Sequence, residues 1–188
     1  DYESGRRKSP GTLIVSRIVE ALLEIDAQRG GQKIHAYEGM LFTEKTSKAI
    51  YATYEYTFPM QMAKLASLVE ADVVHKGIEK PLYGFTVVDS KKAILELSSH
   101  EFQKLYGWST ERALIFTKVT TGKSPMVAIR VTNLKPGAVV MHGLRGSEVH
   151  LMAKKMAEID RIPLLATTMD IDEMVEALKK YSDYHVME

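Results

Sequence analysis

The 188-residue sequence predicts an α/β fold, with a mixed αββαββ N-terminal half followed by a βαβαβα unit of parallel strands. Three observations carry this expectation. Amphipathic runs of helical period alternate with short apolar runs. From Arg112 to Lys180 the order strand, turn, helix is written three times. Hydrophobic residues make up 45% of the chain, enough to build a core at this length.

Asp1 to Gly11 (DYESGRRKSPG) is polar, with a basic triplet and a Pro-Gly stop, and reads as a linker, a cut edge beyond which an upstream module lies, or a loose terminus. Thr12 to Arg29 carries Ile14, Ile18, Ala21, Leu22 and Ile25 on one stripe and stops at Gly30-Gly31, as an amphipathic helix does. Gln32 to Phe42 and the aromatic, β-branched run Ala49 to Phe58 suggest two strands joined through Thr43 to Lys48. Pro59 is expected to begin a helix that buries Met62, Leu65, Ala66 and Val69, and the chain leaves it at Val73 to Lys76. Leu82 to Leu97 reads as a hairpin turning at Asp89-Ser90-Lys91-Lys92. Ser98 to Gly107 reads as a short closing helix. The expected division is a terminus at 1–11, a mixed unit at 12–107 and an α/β unit at 108–188, or one continuous domain with a change of pattern near Trp108.

Ala113 to Val119 is a compact apolar strand, after which Ser124-Pro125 supplies a cap and a proline at the first helical position. The β-branched Val127, Ile129, Val131 and Thr132 leave Met126 to Leu134 open as helix or strand. Ala138 to Met141 is a buried strand, and Ser147 is expected to cap a helix carrying Val149, Met152, Ala153 and Met156. Ile162 to Ala166 is another strand. Asp170 and Glu173 then have capping-box spacing before Ile171, Met174, Val175 and Leu178.

Composition excludes several classes of function. There are no cysteines, which removes disulfides, thiol catalysis and cysteine-ligated zinc. No run of about 18 apolar residues could span a bilayer, so no membrane partner is expected and the expected location is the cytoplasm. The net charge of +1 conceals an asymmetry: seven Lys or Arg against two acids from Glu101 to Ser147, and five against nine from Glu148 to Glu188. A near-neutral total disfavours direct nucleic-acid binding by this segment.

Parallel strands end at one sheet edge, so the three turns of the second half should meet there. Thr121-Gly122-Lys123-Ser124 offers an ammonium, a hydroxyl and backbone amides to an anion, but position 117, where a Walker A loop has glycine, is Thr117. Gly143-Leu144-Arg145-Gly146-Ser147 combines two glycines that permit close backbone approach with a guanidinium fork. Thr167 and Thr168 complete a set of turns with donors and no carboxylate of their own before Asp170. The candidate ligand-binding residues are therefore Gly122, Lys123, Ser124, Gly143, Arg145, Gly146, Ser147, Thr167 and Thr168. Each turn also has the plain reading of a capped polar loop. His142, Glu148 and His150 invite a metal or acid–base reading, yet 148 and 150 do not share a helical face and no third ligand is evident. Tyr51, Tyr54 and Tyr56 alternate as sheet residues do, and the ten methionines read as core filling.

The segment AVVMHGLRGSEVHLMAKKMAEIDRIPLLATTMDIDEMVEALKK, residues 138 to 180, resembles the strand, glycine turn, helix, Ile-Pro strand and Asp-capped helix of DRTGG regulatory domains, although the Asp-Arg-Thr-Gly-Gly signature itself is absent. The resemblance implies a regulatory or dimerising α/β unit. The mixed architecture and linker-like start are also similar to effector domains of archaeal transcription regulators. Three functions follow as expectations. The first is a noncatalytic sensor of a small anionic metabolite or nucleotide, homo-oligomeric, with no cofactor or metal, passing occupancy to a partner subunit or an upstream DNA-binding domain. The second is an enzyme acting on a phosphorylated small molecule with His142 as acid or base, and the third a dimerisation scaffold.

Overall fold

In chain order the computed structural model contains helix α1 (Thr12–Gln28), strand β1 (Ile50–Met60), α2 (Met62–Leu68), β2 (Asp72–His75) and β3 (Leu82–Asp89). Then come α3 (Ser90–Glu96), α4 (Ser99–Phe102), a 3₁₀ turn (Gln103–Tyr106), β4 (Ala113–Thr117), α5 (Lys123–Val131) and β5 (Ala138–His142). A second 3₁₀ turn (Gly146–Glu148), α6 (Leu151–Asp160), β6 (Leu164–Thr167) and α7 (Ile171–Tyr184) complete it. Residues 11–30, 48–107, 109–132 and 134–184 are described. The chain divides into two compact units, Asp1–Lys45 and Thr46–Glu188. Of the first, α1 is described. The expected strand Gln32 to Phe42 and the terminus 1–10 lie outside the described residues.

The second unit is built on one six-stranded sheet in the order β1-β3-β4-β5-β6-β2. Strands β3, β4, β5 and β6 are parallel, while β1 and β2 close the two sides antiparallel. The parallel strands are buried at nearly every position, which is why they read as unbroken apolar runs. Strands from both sides of residue 108 share this sheet.

Alternate strand residues divide between two cores. Val88, Leu114, Phe116, Val139 and Met141 meet residues of α3, α5 and α6 on one face. Phe85, Val87, Ile115, Val140 and Leu165 meet α2 and α7 on the other. All three crossover helices therefore lie on the same face, as right-handed connections between successive strands require. Strand order never reverses within β3 to β6, so the parallel sheet has no topological switch point, and its edge alone does not open a crevice.

Several local expectations are corrected. Leu82 to Leu97 is a strand followed by a helix, since β3 is paired on both sides, with β1 and β4, and the Asp89 carboxylate accepts the Lys91 and Lys92 amides at 3.1 and 3.2 Å. The apparent hairpin turn is thus an N-cap. Pro59 belongs to edge strand β1, where a missing N–H is tolerated. The segment Val73 to Lys76, expected to leave a helix, supplies most of β2. Lys123–Val131 is helical, but its N-cap is Gly122 at φ 78°, not Ser124, which is exposed. Ser147 sits in a 3₁₀ turn, and the helix after it is capped by His150, whose Nδ1 accepts the Met152 amide at 3.0 Å. The Asp170 cap on α7 is as expected, with Oδ1 accepting the Asp172 and Glu173 amides at 2.8 and 3.2 Å.

Candidate functional site

The C-terminal ends of the parallel strands place Asp89, Thr117, His142 and Thr167 along one edge, and the three polar turns follow there. Two hydrogen bonds lace the loops to neighbouring strands: Val119 N–H donates to the His142 carbonyl at 3.2 Å, and Gly143 N–H to the Thr167 carbonyl at 2.9 Å. A third, from His150 N–H to the Thr121 carbonyl at 3.0 Å, ties the second turn to the first.

The turns nevertheless differ in what they leave free. In the loop after β5, Arg145 N–H donates to Glu148 Oε2 at 2.6 Å and Gly146 N–H to Asp72 Oδ2 at 2.8 Å. A Cβ on Gly146 would come within 2.8 Å of Asp72 Cβ, so glycine here admits β2 rather than a ligand. Thr167 is buried, with its hydroxyl donating to the Val69 carbonyl at 2.6 Å and accepting the Met169 amide at 3.1 Å. Arg145, Ser147 and Thr168 point exposed side chains outward. Carboxylates absent from the turn sequences thus arrive from Glu148 and Asp72, the latter over seventy positions upstream, and occupy amides that an anion would need.

His142 Nε2 lies 2.7 Å from the Met169 carbonyl. A carbonyl only accepts, so Nε2 carries a proton, while the buried Nδ1 has no hydrogen-bond partner. This histidine latches the loop before α7. His150 is engaged in its cap, and no group of three acidic or histidine side chains that could hold a metal occurs among the described residues.

The turn after β4 is different. Lys123 and Ser124, on the first turn of α5, line a cavity of about 400 Å³ between α3 and α5. Its other walls are apolar except for Thr132: Ala93, Ile94, Leu97 and Phe102 on one side, Val127, Ala128 and Val131 on the other. Among the described residues no carboxylate lines it. Beside it, Lys118 Nζ contacts Asp89 Oδ2 at 2.6 Å, in a lysine held at φ 56°, a left-handed conformation that side chains other than glycine rarely adopt. Burial raises the Asp89 carboxyl pKa, but the Lys118 ammonium and the Lys92 and Lys91 amides outweigh it, and the net value falls below the ordinary carboxylate one. With Asp89 paired to Lys118, Lys123 is the cation among the described residues that line the groove. Asp89 was read from the sequence as a hairpin-turn residue, and Lys118 was not singled out. The available signal was charge at strand ends, which cannot show that the two strands are neighbours.

No protein-family model matches the chain, and no solved structure matches it. It is 46% identical over 181 residues to a protein of Methanocaldococcus jannaschii named an uncharacterized HTH-type transcriptional regulator, covering 96% of this chain and 75% of that one. The chain belongs to the HTH-type transcriptional regulators. A relative in Archaeoglobus fulgidus, named in the same way, is 47% identical over 180 residues, covering 96% of this chain and 77% of its own. A regulatory role is thereby shown, and the resemblance to archaeal regulators read from the sequence agrees with it. Among the described residues no helix of this regulator is long and apolar enough to cross a membrane.

Proposed function

We propose that the Thr46–Glu188 unit is the effector part of a transcription regulator and senses a small anionic metabolite without catalysis. A separate DNA-binding portion would read the operator. The observation that carries this reading is that Lys123 and Ser124, singled out as anion ligands by their position after an apolar strand, line a cavity in the size range of small-molecule sites. Gly122 in its left-handed conformation sets the direction in which the first turn of α5 leaves the strand. Arg145, Ser147 and Thr168 lie on loops of the same edge, and the reading gives them a secondary part, as exposed donors that meet a ligand reaching beyond the groove. Gly143, Gly146 and Thr167 hold those loops in place. A ligand bound to the native state must raise its apparent stability by mass action. A thermal-unfolding screen against nucleotides, phosphorylated metabolites and organic acids tests this: a saturating rise in Tm that Lys123→Ala removes is expected, and a rise that survives Lys123→Ala would place the site elsewhere.

A second reading, association of copies through α1, is favoured by a specific observation. Val15, Ile18, Val19, Leu22, Leu23 and Ile25 are all exposed along this 17-residue helix. A helix of that length is marginal in water without a partner for its apolar stripe. Sedimentation of the 188-residue chain across a concentration series checks it. Self-association weakened by Leu22→Asp is expected, and a monomer at every concentration would count against it.

A further inference from the structure

The chemistry of the α3–α5 groove narrows the class of ligand, an inference that rests on the anion-sensor reading above. A phosphate or nucleotide site gathers several cations or free backbone amides around a multiply charged group. Among the described lining residues, Lys123 supplies one ammonium and Ser124 one hydroxyl, Thr132 spends its hydroxyl on the Ile129 and Leu134 carbonyls, and the other walls are hydrocarbon and aromatic. The loop amides that might have added charge stabilisation, those of Arg145 and Gly146, are held by Glu148 and Asp72. Ile94, Val127 and Val131 remain 59%, 48% and 75% exposed along the groove, an unusual cost for side chains placed where a helix pair would normally close over itself.

We infer that the ligand is an amphiphilic monoanion, a carboxylate bearing a hydrocarbon or aromatic body, with the carboxylate on Lys123 and Ser124 and the body between Ile94 of α3 and Leu97 just after it on one side and Val127 and Val131 of α5 on the other. Binding then covers the exposed side chains of both helices at once and fixes their spacing, so the ligand's occupancy changes the surface that α3 and α5 present.

The test is a calorimetric titration of the 188-residue chain with butanoate, hexanoate, octanoate and decanoate, with octanamide, inorganic phosphate and AMP alongside. Affinity for the carboxylates is expected to rise about fourfold per added methylene while the chain still lies within the groove. Lys123→Met, which keeps the stem and drops the charge, should weaken every carboxylate by a similar factor and leave octanamide unchanged. Val127→Asp, at an exposed position, should weaken octanoate far more than butanoate. Carboxylate binding without dependence on chain length, or untouched by Lys123→Met, would overturn the inference. Phosphate or AMP binding that requires Lys123, with no carboxylate preference, would overturn it while leaving the anion-sensor reading standing. No binding by any of these anions would remove both.

Discussion

Asp89 joins the end of β3, the start of α3 and the loop after β4 through a single carboxylate. One oxygen caps the helix and the other holds Lys118. Because the folded pKa is depressed below the unfolded value, near 3.9 for an ordinary aspartate, its stabilisation is complete above that value and is lost as pH falls through the folded one. Asp89→Asn keeps an oxygen for the cap and loses the charge pair. The expected result in urea unfolding is a deficit of about 1 kcal/mol or less at pH 7, since Lys118 is largely exposed, and a deficit that shrinks once the pH falls below the ordinary aspartate value. A deficit that did not change with pH would assign the role of Asp89 to the cap alone. At this scale the sequence was partly legible. The Asp170 cap was read from its spacing, and the place of the Gly122–Ser124 turn after β4 from the apolar run before it. The hydroxyl of Thr167 and the amide of Gly146 were misjudged because their partners, Val69 and Asp72, come from a remote part of the chain.

Elements were legible where one period dominates. The stripe of α7 and the buried runs of β4, β5 and β6 follow directly from their patterns, whereas Leu82 to Leu97 was read as a hairpin turning at Asp89-Ser90-Lys91-Lys92 because Ala93, Ile94 and Leu95, which belong to α3, look alike in either period. Packing settles it: Ala93 is buried, while Ile94 and Leu95 are exposed. What fastens the elements at the opposite sheet edge is Arg112, 1% exposed. It donates to Glu55 at 2.6 Å and Thr53 at 3.1 Å on β1, and to the carbonyls of Tyr54, Phe85 and Tyr106 at 2.8 to 3.0 Å. Gly107, at φ 54°, leaves room for the guanidinium, since a Cβ there would lie 2.1 Å from Arg112 Nη1. Arg112→Met removes the donor from two buried carbonyls, of Phe85 and Tyr106, and from the part-buried carbonyl of Tyr54, and is expected to cost about 3 kcal/mol in chemical denaturation. Glu55→Gln should cost under about 1 kcal/mol, because that carboxylate is 40% exposed and regains water. Equal losses in the two variants would show that the ion pair, rather than the carbonyl clamp, matters.

For the whole molecule, the sequential order of β3 to β6 puts α3, α5 and α6 side by side on one face and moves the open space from the sheet edge to the gap between helices. That shift could not be read from the sequence: strand order and crossover side are tertiary facts, and the edge crevice expected from polar turns presumes a reversal of order that this sheet lacks. The α/β class and the regulatory reading survive it, and so does one of the three turns as the proposed site. The α3–α5 site is tested most directly by mapping the amide and methyl NMR shifts of the 188-residue chain during titration with octanoate. Saturable changes concentrated at Ala93, Ile94, Lys123, Val127 and Ala128 are expected. Changes confined to Gly143 through Ser147, or none at saturating ligand, would contradict it.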